Sequence, residues 1–474
     1  MSERVATDST PMLIAIGLGG LLAVFVSIQP PLQVCLILLS VGVAFLAIFN
    51  RRVALSLIIP MIALSPDIPF LKIPVRIEDL LMVPLAAGWL AHLCAFRERQ
   101  GTSLDRLLVA YFLVGLVATA WGGYLGTVRF SELSKEAGAS FHLLKRLEFV
   151  LLFFIICDTL RTPREVKHLT YVLIASMVGL SAFGVTQFLS NGLIAQGPLG
   201  TPGHEPGLAS MLNIVLALSL IPSAKPPARF LLGAIIAFSM AVLPLSLGRN
   251  YMATTGLIVL YVGLFRQRWV LVLLPVFLAI GLFLYPSHIL QRVVTIQHAF
   301  APDLTGEQTQ GASLISRTQG PKYYGLIALG YSPVLGLGLG SIPLGFPDSE
   351  FVTQLFYTGL AGLAIFLMLG ARVLHLAGDV ARAAKEPSVA ALAGGFQLIL
   401  AAYVIHSIFS PSISASRVGA IFFVVTGLLV VLHRAISQQA SGPNGFVVVS
   451  RDGRGQKMNL AVRGADYAAA MGEI

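Results

Sequence analysis

Long apolar runs, separated by short polar connections, extend along most of the chain. A helix needs about 20 apolar residues to cross a hydrocarbon core of about 30 Å. Such runs fall near 12–29, 31–49, 53–65, 77–96, 105–122, 142–160, 168–190, 206–222, 229–247, 251–265, 269–285, 351–371, 389–409 and 413–433. The third and tenth are short, and Pro60 interrupts the third, so either is expected to be tilted, broken or re-entrant. The pattern predicts an all-α, polytopic transmembrane bundle of about 12–14 spans. The first run has no strongly basic leader and no small-residue cleavage site before Pro30 and Pro31, and it reads as a retained span.

Charge checks this layout independently. With the N-terminus inside, the inner loops carry Arg51 and Arg52; Arg97, Arg99 and Arg106; Arg161, Arg164 and Lys167; Lys225 and Arg229; Arg266 and Arg268; and Arg372, Arg382 and Lys385. The outer segments near 29–31, 191–205 and 410–412 carry no Lys or Arg. That asymmetry follows the positive-inside rule and places both termini in the cytoplasm. The membrane domain then occupies 1–433, and a polar, Gly-rich cytoplasmic tail fills 434–474, expected to be weakly structured.

One connection is long. Residues 286–350 lie outside, and loops of this length in compact proteins are functional or disordered. Within it, 315–329 is mostly apolar with Arg317, Lys322, Tyr323 and Tyr324 interspersed, and Pro333 to Gly340 follows with a glycine at every second position from Gly336. A short helix near the outer membrane surface, followed by a tight turn, is expected here.

Composition narrows the class. Of 474 residues, 56% are hydrophobic and 11% charged, against about 25% charged in soluble domains. The net charge of +10 is spread over short inter-span clusters, which excludes the basic face that nucleic-acid binding requires. Cys35, Cys94 and Cys157 sit inside apolar runs, with neither a disulfide framework nor zinc spacing. No metal or cofactor motif is present. The Gly336, Gly338, Gly340 run lacks the strand–turn–helix setting of a dinucleotide fingerprint and reads as turn chemistry.

Ionisable residues at the outer ends of spans carry the candidate chemistry, because charge at membrane depth costs about 2.5–3.5 kcal/mol on insertion scales. Arg249 lies in a very short outer turn, Arg317 in the long loop, Arg76 at the start of the fourth run, and Lys145, Arg146 and Glu148 at the outer end of the sixth. The bland alternative is that they snorkel to headgroups or pair with Glu78, Asp79 and Glu148. Guanidinium groups bind phosphate bidentately and keep their charge at any relevant pH, so Arg249, Arg317 and Arg146 are candidates for holding a pyrophosphate. Candidate acids and bases on the same side are His204 and Glu205, Asp348 and Glu350, and His406.

Four segments carry a family resemblance. They are Gly200-Thr201-Pro202-Gly203-His204-Glu205-Pro206-Gly207-Leu208-Ala209; Ser246-Leu247-Gly248-Arg249; Ser316-Arg317 followed by Tyr323-Tyr324 and Pro333 to Gly338; and Asp348-Ser349-Glu350-Phe351 leading to Gly359 and Gly362. In order and spacing they resemble the O-antigen ligase and O-antigen polymerase superfamily of bacterial envelope glycosyltransferases, most clearly over 195–370. The resemblance implies transfer of a glycan from an undecaprenyl-pyrophosphate carrier on the periplasmic face of the inner membrane, without metal or cofactor. It also implies that Arg249 and Arg317 are the family's outer arginines. Asp348-Ser349 stands where ligases carry a His, which favours a polymerase of O-antigen, capsule or exopolysaccharide repeats and leaves the base open among Asp348, Glu350 and His204. Membrane lipids, a flippase and a chain-length regulator are the implied partners. The alternatives are a ligase acting on lipid A core or protein, and a transporter or lipid flippase. Against the latter, the chain shows no internal repeat, and its ionisable residues gather at the outer rim instead of the midplane.

Overall fold

The computed structural model describes residues 50–65, 67–70, 73–96, 101–128, 138–191, 204–246, 248–276, 322–341, 349–411, 416–440, 446–451 and 457–462, with the single positions 42, 46 and 279. The first predicted span, all of the second but positions 42 and 46, about half of the eleventh, Cys35, Arg317 and Asp348 lie outside the described residues.

Eleven helices account for the remaining runs. They are α1 (Arg51–Leu64), α2 (Ile77–Phe96), α3 (Asp105–Tyr124), α4 (Ala139–Thr159), α5 (Pro163–Asn191), α6 (His204–Leu220), α7 (Pro226–Leu245), α8 (Arg249–Phe265), α9 (Glu350–Ala383), α10 (Pro387–Phe409) and α11 (Ser416–Ala440). Among the described residues, eight of these are long and apolar enough to cross a membrane: α2, α3, α5, α6, α7, α9, α10 and α11. The chain is a multi-pass α-helical membrane protein. Two antiparallel hairpins accompany the helices. Asp67–Phe70 (β1) pairs with Ile73–Arg76 (β2) ahead of α2, and Phe446–Arg451 (β3) pairs with Lys457–Val462 (β4) inside the polar tail.

Local sequence explains the starts. Thr162, Pro163 and Glu165 open α5 as a capping box: Glu165 N–H donates to Thr162 Oγ1 (3.3 Å) and Thr162 N–H donates to Glu165 Oε2 (3.1 Å). Pro226 and Pro387 each stand at the start of a helix, where a missing N–H costs nothing. The 14-residue α1 contains Pro60 without breaking, and nearly its whole second half is buried. At about 21 Å it is too short to span lipid, so it is a core helix.

α6 and α11 are the centre of the bundle. α6 packs against α5, α7, α8 and α10, and α11 packs against α1, α4, α5, α9 and α10. Between them Leu212, Val215, Leu216, Phe423, Leu428 and Leu429 are fully buried. α4 carries Lys145, Arg146, Glu148 and Asp158 yet buries most of its length. Protein, not lipid, surrounds those charges, which is how such groups are tolerated at depth. At the end of α4 opposite to Lys145, Arg146 and Glu148, Trp89 Nε1 donates to the buried Asp158 (3.0 Å), and Arg434 donates to the Cys157 carbonyl (2.9 Å). Trp89→Phe removes the donor from a buried carboxylate and is expected to cost about 1–3 kcal/mol, read as a lower unfolding midpoint in detergent.

α9 departs from the single span predicted over 351–371. In a straight helix, residues 351 and 366 would lie about 22 Å apart, yet their rings meet with centroids 6.0 Å apart. The helix reverses at Gly359, whose φ of 64° and ψ of −166° are open only to glycine. Residues 350–358 therefore form a half-helix that folds back against the following span, 360–383. The glycine-rich segment is the strap that closes this reversal. Leu337 and Gly338 N–H donate to the Phe356 and Tyr357 carbonyls (2.9 and 3.0 Å), and Leu360 and Ala361 N–H donate to the Pro333 and Val334 carbonyls (2.8 and 3.1 Å). Gly336, Gly338 and Gly340 take positive φ values of 69°, 90° and 76°, in agreement with the turn reading of the sequence. The short helix expected before the turn covers 322–331.

Candidate functional site

The charged groups meet at one end of the bundle. β1 and β2 deliver Arg76 to the start of α2, in register with Asp67. Arg76 Nη1 pairs with Glu78 Oε1 (3.3 Å), and its N–H donates to Asp79 Oδ2 (3.1 Å). Lys145 of α4 pairs with Asp79 and with Glu148 (2.8 Å). Arg417 at the start of α11 pairs with Glu205 at the start of α6 (2.7 Å). It also donates to the Ser65 carbonyl, while the Ser65 hydroxyl accepts from Ile77 N–H (2.9 Å). Ser65 thus ties the end of α1 to the starts of α2 and α11.

Arg146 stands apart from this pairing. Its side chain crosses α3 where Gly115 leaves room, since a Cβ there would overlap the guanidinium. The guanidinium lies over the Tyr111 ring, 4.1 Å from the centroid. It donates to the Tyr111 carbonyl (3.4 Å) and to Gln354 Oε1 (3.1 Å). Gln354 Nε2 in turn donates to Glu350 Oε1 (2.7 Å) and lies 3.4 Å from the Tyr111 hydroxyl. Guanidinium, amide and carboxylate form one hydrogen-bonded chain, with Arg146 6% exposed and Glu350 fully buried. The amide holds the two charges in fixed relation without neutralising them directly.

The neighbouring wall joins α8, α9 and α10. His406 stacks on Tyr251 with centroids 4.3 Å apart. Ser349 Oγ donates to the Ser407 carbonyl (3.4 Å), and Asn250 Nδ2 donates to the Phe409 carbonyl (2.9 Å).

Of the residues singled out from sequence, Glu350 and Arg146 come together through Gln354. Arg249 opens α8 beside Asn250, and His204 opens α6 beside Glu205, so the backbones of both reach this same end. Arg317 and Asp348 lie outside the described residues. For Arg76 and Lys145 the structural alternative holds, because each is paired with the carboxylates its neighbourhood offered. Arg417, Gln354 and Tyr111 are missing from the sequence reading. Arg417 lies inside the apolar run 413–433, where it is the lone Lys or Arg. Gln354 lies one helical turn from Glu350 and is the polar interruption that marks the buried face. Tyr111 gave no signal, since only the fold brings it beneath Arg146. Among the described residues no group of three or more His, Cys, Asp or Glu side chains converges as a metal set would.

No known family's sequence pattern matches the chain, and no curated protein matches it. What fold and site define together is a class: a polytopic helical membrane protein with a buried ionic layer at one end of its helices.

Proposed function

We propose that the protein is a membrane glycosyltransferase that polymerises undecaprenyl-pyrophosphate-linked oligosaccharide repeats on the periplasmic face of the bacterial inner membrane. The observation that carries this reading is the Arg146–Gln354–Glu350 chain, set in an ionic layer at the end where the outer loops were expected. A phosphoanhydride leaving group accumulates negative charge, and a preoriented guanidinium in a water-poor setting stabilises it without reorganising. Arg146 donates to the Tyr111 carbonyl at a long 3.4 Å and to Gln354, whereas a guanidinium has five donors. Glu350 acts through Gln354 as the group that orients Arg146. Arg249 and Arg317 are the further pyrophosphate ligands that the resemblance to O-antigen ligases and polymerases suggests, and a His204 or Asp348 contact to the acceptor belongs to the same proposal. The polymerase form is favoured over the ligase form by Asp348-Ser349 standing where ligases carry His.

The test is glycan chain length on the carrier lipid. Arg146→Ala, Arg249→Ala and Arg317→Ala are each expected to lower chain extension about 10²–10³-fold, the usual cost of one transition-state donor, with membrane insertion intact. Arg146→Lys, which keeps the charge but loses the fork, should fall between wild type and Ala. Wild-type chain lengths in all of these variants would remove the mechanism. Long chains accumulating on the carrier would instead assign the protein as a ligase, and lipid translocation without glycosyl transfer would assign it as a flippase.

A further inference from the structure

We propose that His142 is the proton acceptor for the sugar hydroxyl that attacks the donor, an assignment that rests on the glycosyl-transfer reading above. His142 lies one helical turn before Arg146 on α4, so the two side chains project from the same face. Its ring sits between two aromatics. Phe141 meets it edge-on at 5.7 Å, and Tyr357 of the half-helix meets it tilted at 5.9 Å. Nε2 is buried and makes no hydrogen bond among the described residues. A buried nitrogen left in that state costs about 1–3 kcal/mol. Packing alone holds this imidazole in place, which suits a group whose hydrogen bond is reserved for a substrate.

Geometry separates the roles. Glu350 already accepts from Gln354 at 2.7 Å, and the other carboxylates of the layer face Arg76, Lys145 or Arg417. His142 faces the Phe141 and Tyr357 rings, with the Arg146 guanidinium one turn further along its own helix. The ionisable groups that face it are Arg146 on its own helix and Tyr357 on the half-helix.

In the step, the acceptor hydroxyl oxygen bonds to the anomeric carbon of the donor. The bond from that carbon to the phosphate oxygen breaks, and the lipid pyrophosphate leaves with the electron pair. The hydroxyl proton passes to His142 Nε2, and the imidazolium then releases it to water.

The experiment uses full-length protein in proteoliposomes, with an undecaprenyl-pyrophosphate-linked repeat, isolated from cells lacking this protein, as donor and acceptor. His142→Gln, close to His in shape, keeps the packing on Phe141 and Tyr357. It is expected to lower kcat about 10²–10⁴-fold, the range of general acid–base catalysis, with KM within roughly threefold of wild type. His142→Ala should fall as far and regain turnover with added imidazole, a recovery that a merely structural histidine would not show. A kcat of His142→Gln within threefold of wild type, or no imidazole rescue of His142→Ala, overturns the assignment. Loss of transfer in Arg146→Ala together with full turnover in His142→Gln removes His142 alone, whereas full turnover in Arg146→Ala removes the glycosyl-transfer reading itself.

Discussion

Arg417→Ala is expected to destabilise the protein by about 3–5 kcal/mol, the penalty for stranding one half of a buried ion pair. Arg417 is 3% exposed and Glu205 5%, so solvent cannot screen the carboxylate left behind. The same substitution removes the donor to the Ser65 carbonyl, which loosens the junction between α1, α2 and α11. Replacing both partners with apolar residues of similar size, as in Arg417→Met with Glu205→Leu, should recover much of the loss, because both halves of the pair are then gone from the interior. Unfolding midpoints in detergent for the single and double variants check this. A single variant within about 1 kcal/mol of wild type, as an exposed pair would give, would show that water reaches the pair.

Gly359→Ala is expected to have the second largest effect. The backbone at Gly359 occupies a region of φ and ψ closed to residues with a Cβ, which alone costs about 1–3 kcal/mol. A Cβ would also lie well inside contact distance of the Val334 carbonyl. The reversal and the strap would therefore have to part, breaking the bonds from Leu337, Gly338, Leu360 and Ala361 that hold them together. Those bonds position the half-helix bearing Glu350, Gln354 and Tyr357. The variant should lose glycan extension as well as stability, while Gly330→Ala, which meets nothing nearby, serves as the neutral control. Protease sensitivity near 333–341 and chain length on the carrier lipid are the two readouts.

These expectations show where sequence was informative. Each described apolar run is helical, the run 351–371 as two helices that meet at Gly359, because apolar segments must satisfy their backbone internally and helices are the local way to do so. The spacing of Gly336, Gly338 and Gly340 marked a turn for a local reason too, since positive φ is a single-residue property. The reversal at Gly359 was not legible. Glycine occurs often in membrane helices, and neither Gly359 nor its flanks differ in composition from an uninterrupted span. Only the strap, arriving from about 20 residues earlier, takes up the hydrogen bonds that a broken helix leaves open.

The same division runs through the site. Sequence by itself determined a helical membrane protein and the fact that cations at one end of its helices required an explanation. Tertiary structure decided which explanation each received. Arg76 and Lys145 met carboxylates, Arg417 found Glu205 across more than two hundred residues, and Arg146 reached an amide that links it to Glu350. The physical reason is range: hydrophobicity and backbone preference act within a turn or a span, whereas the pairing of buried charges depends on which helices become neighbours.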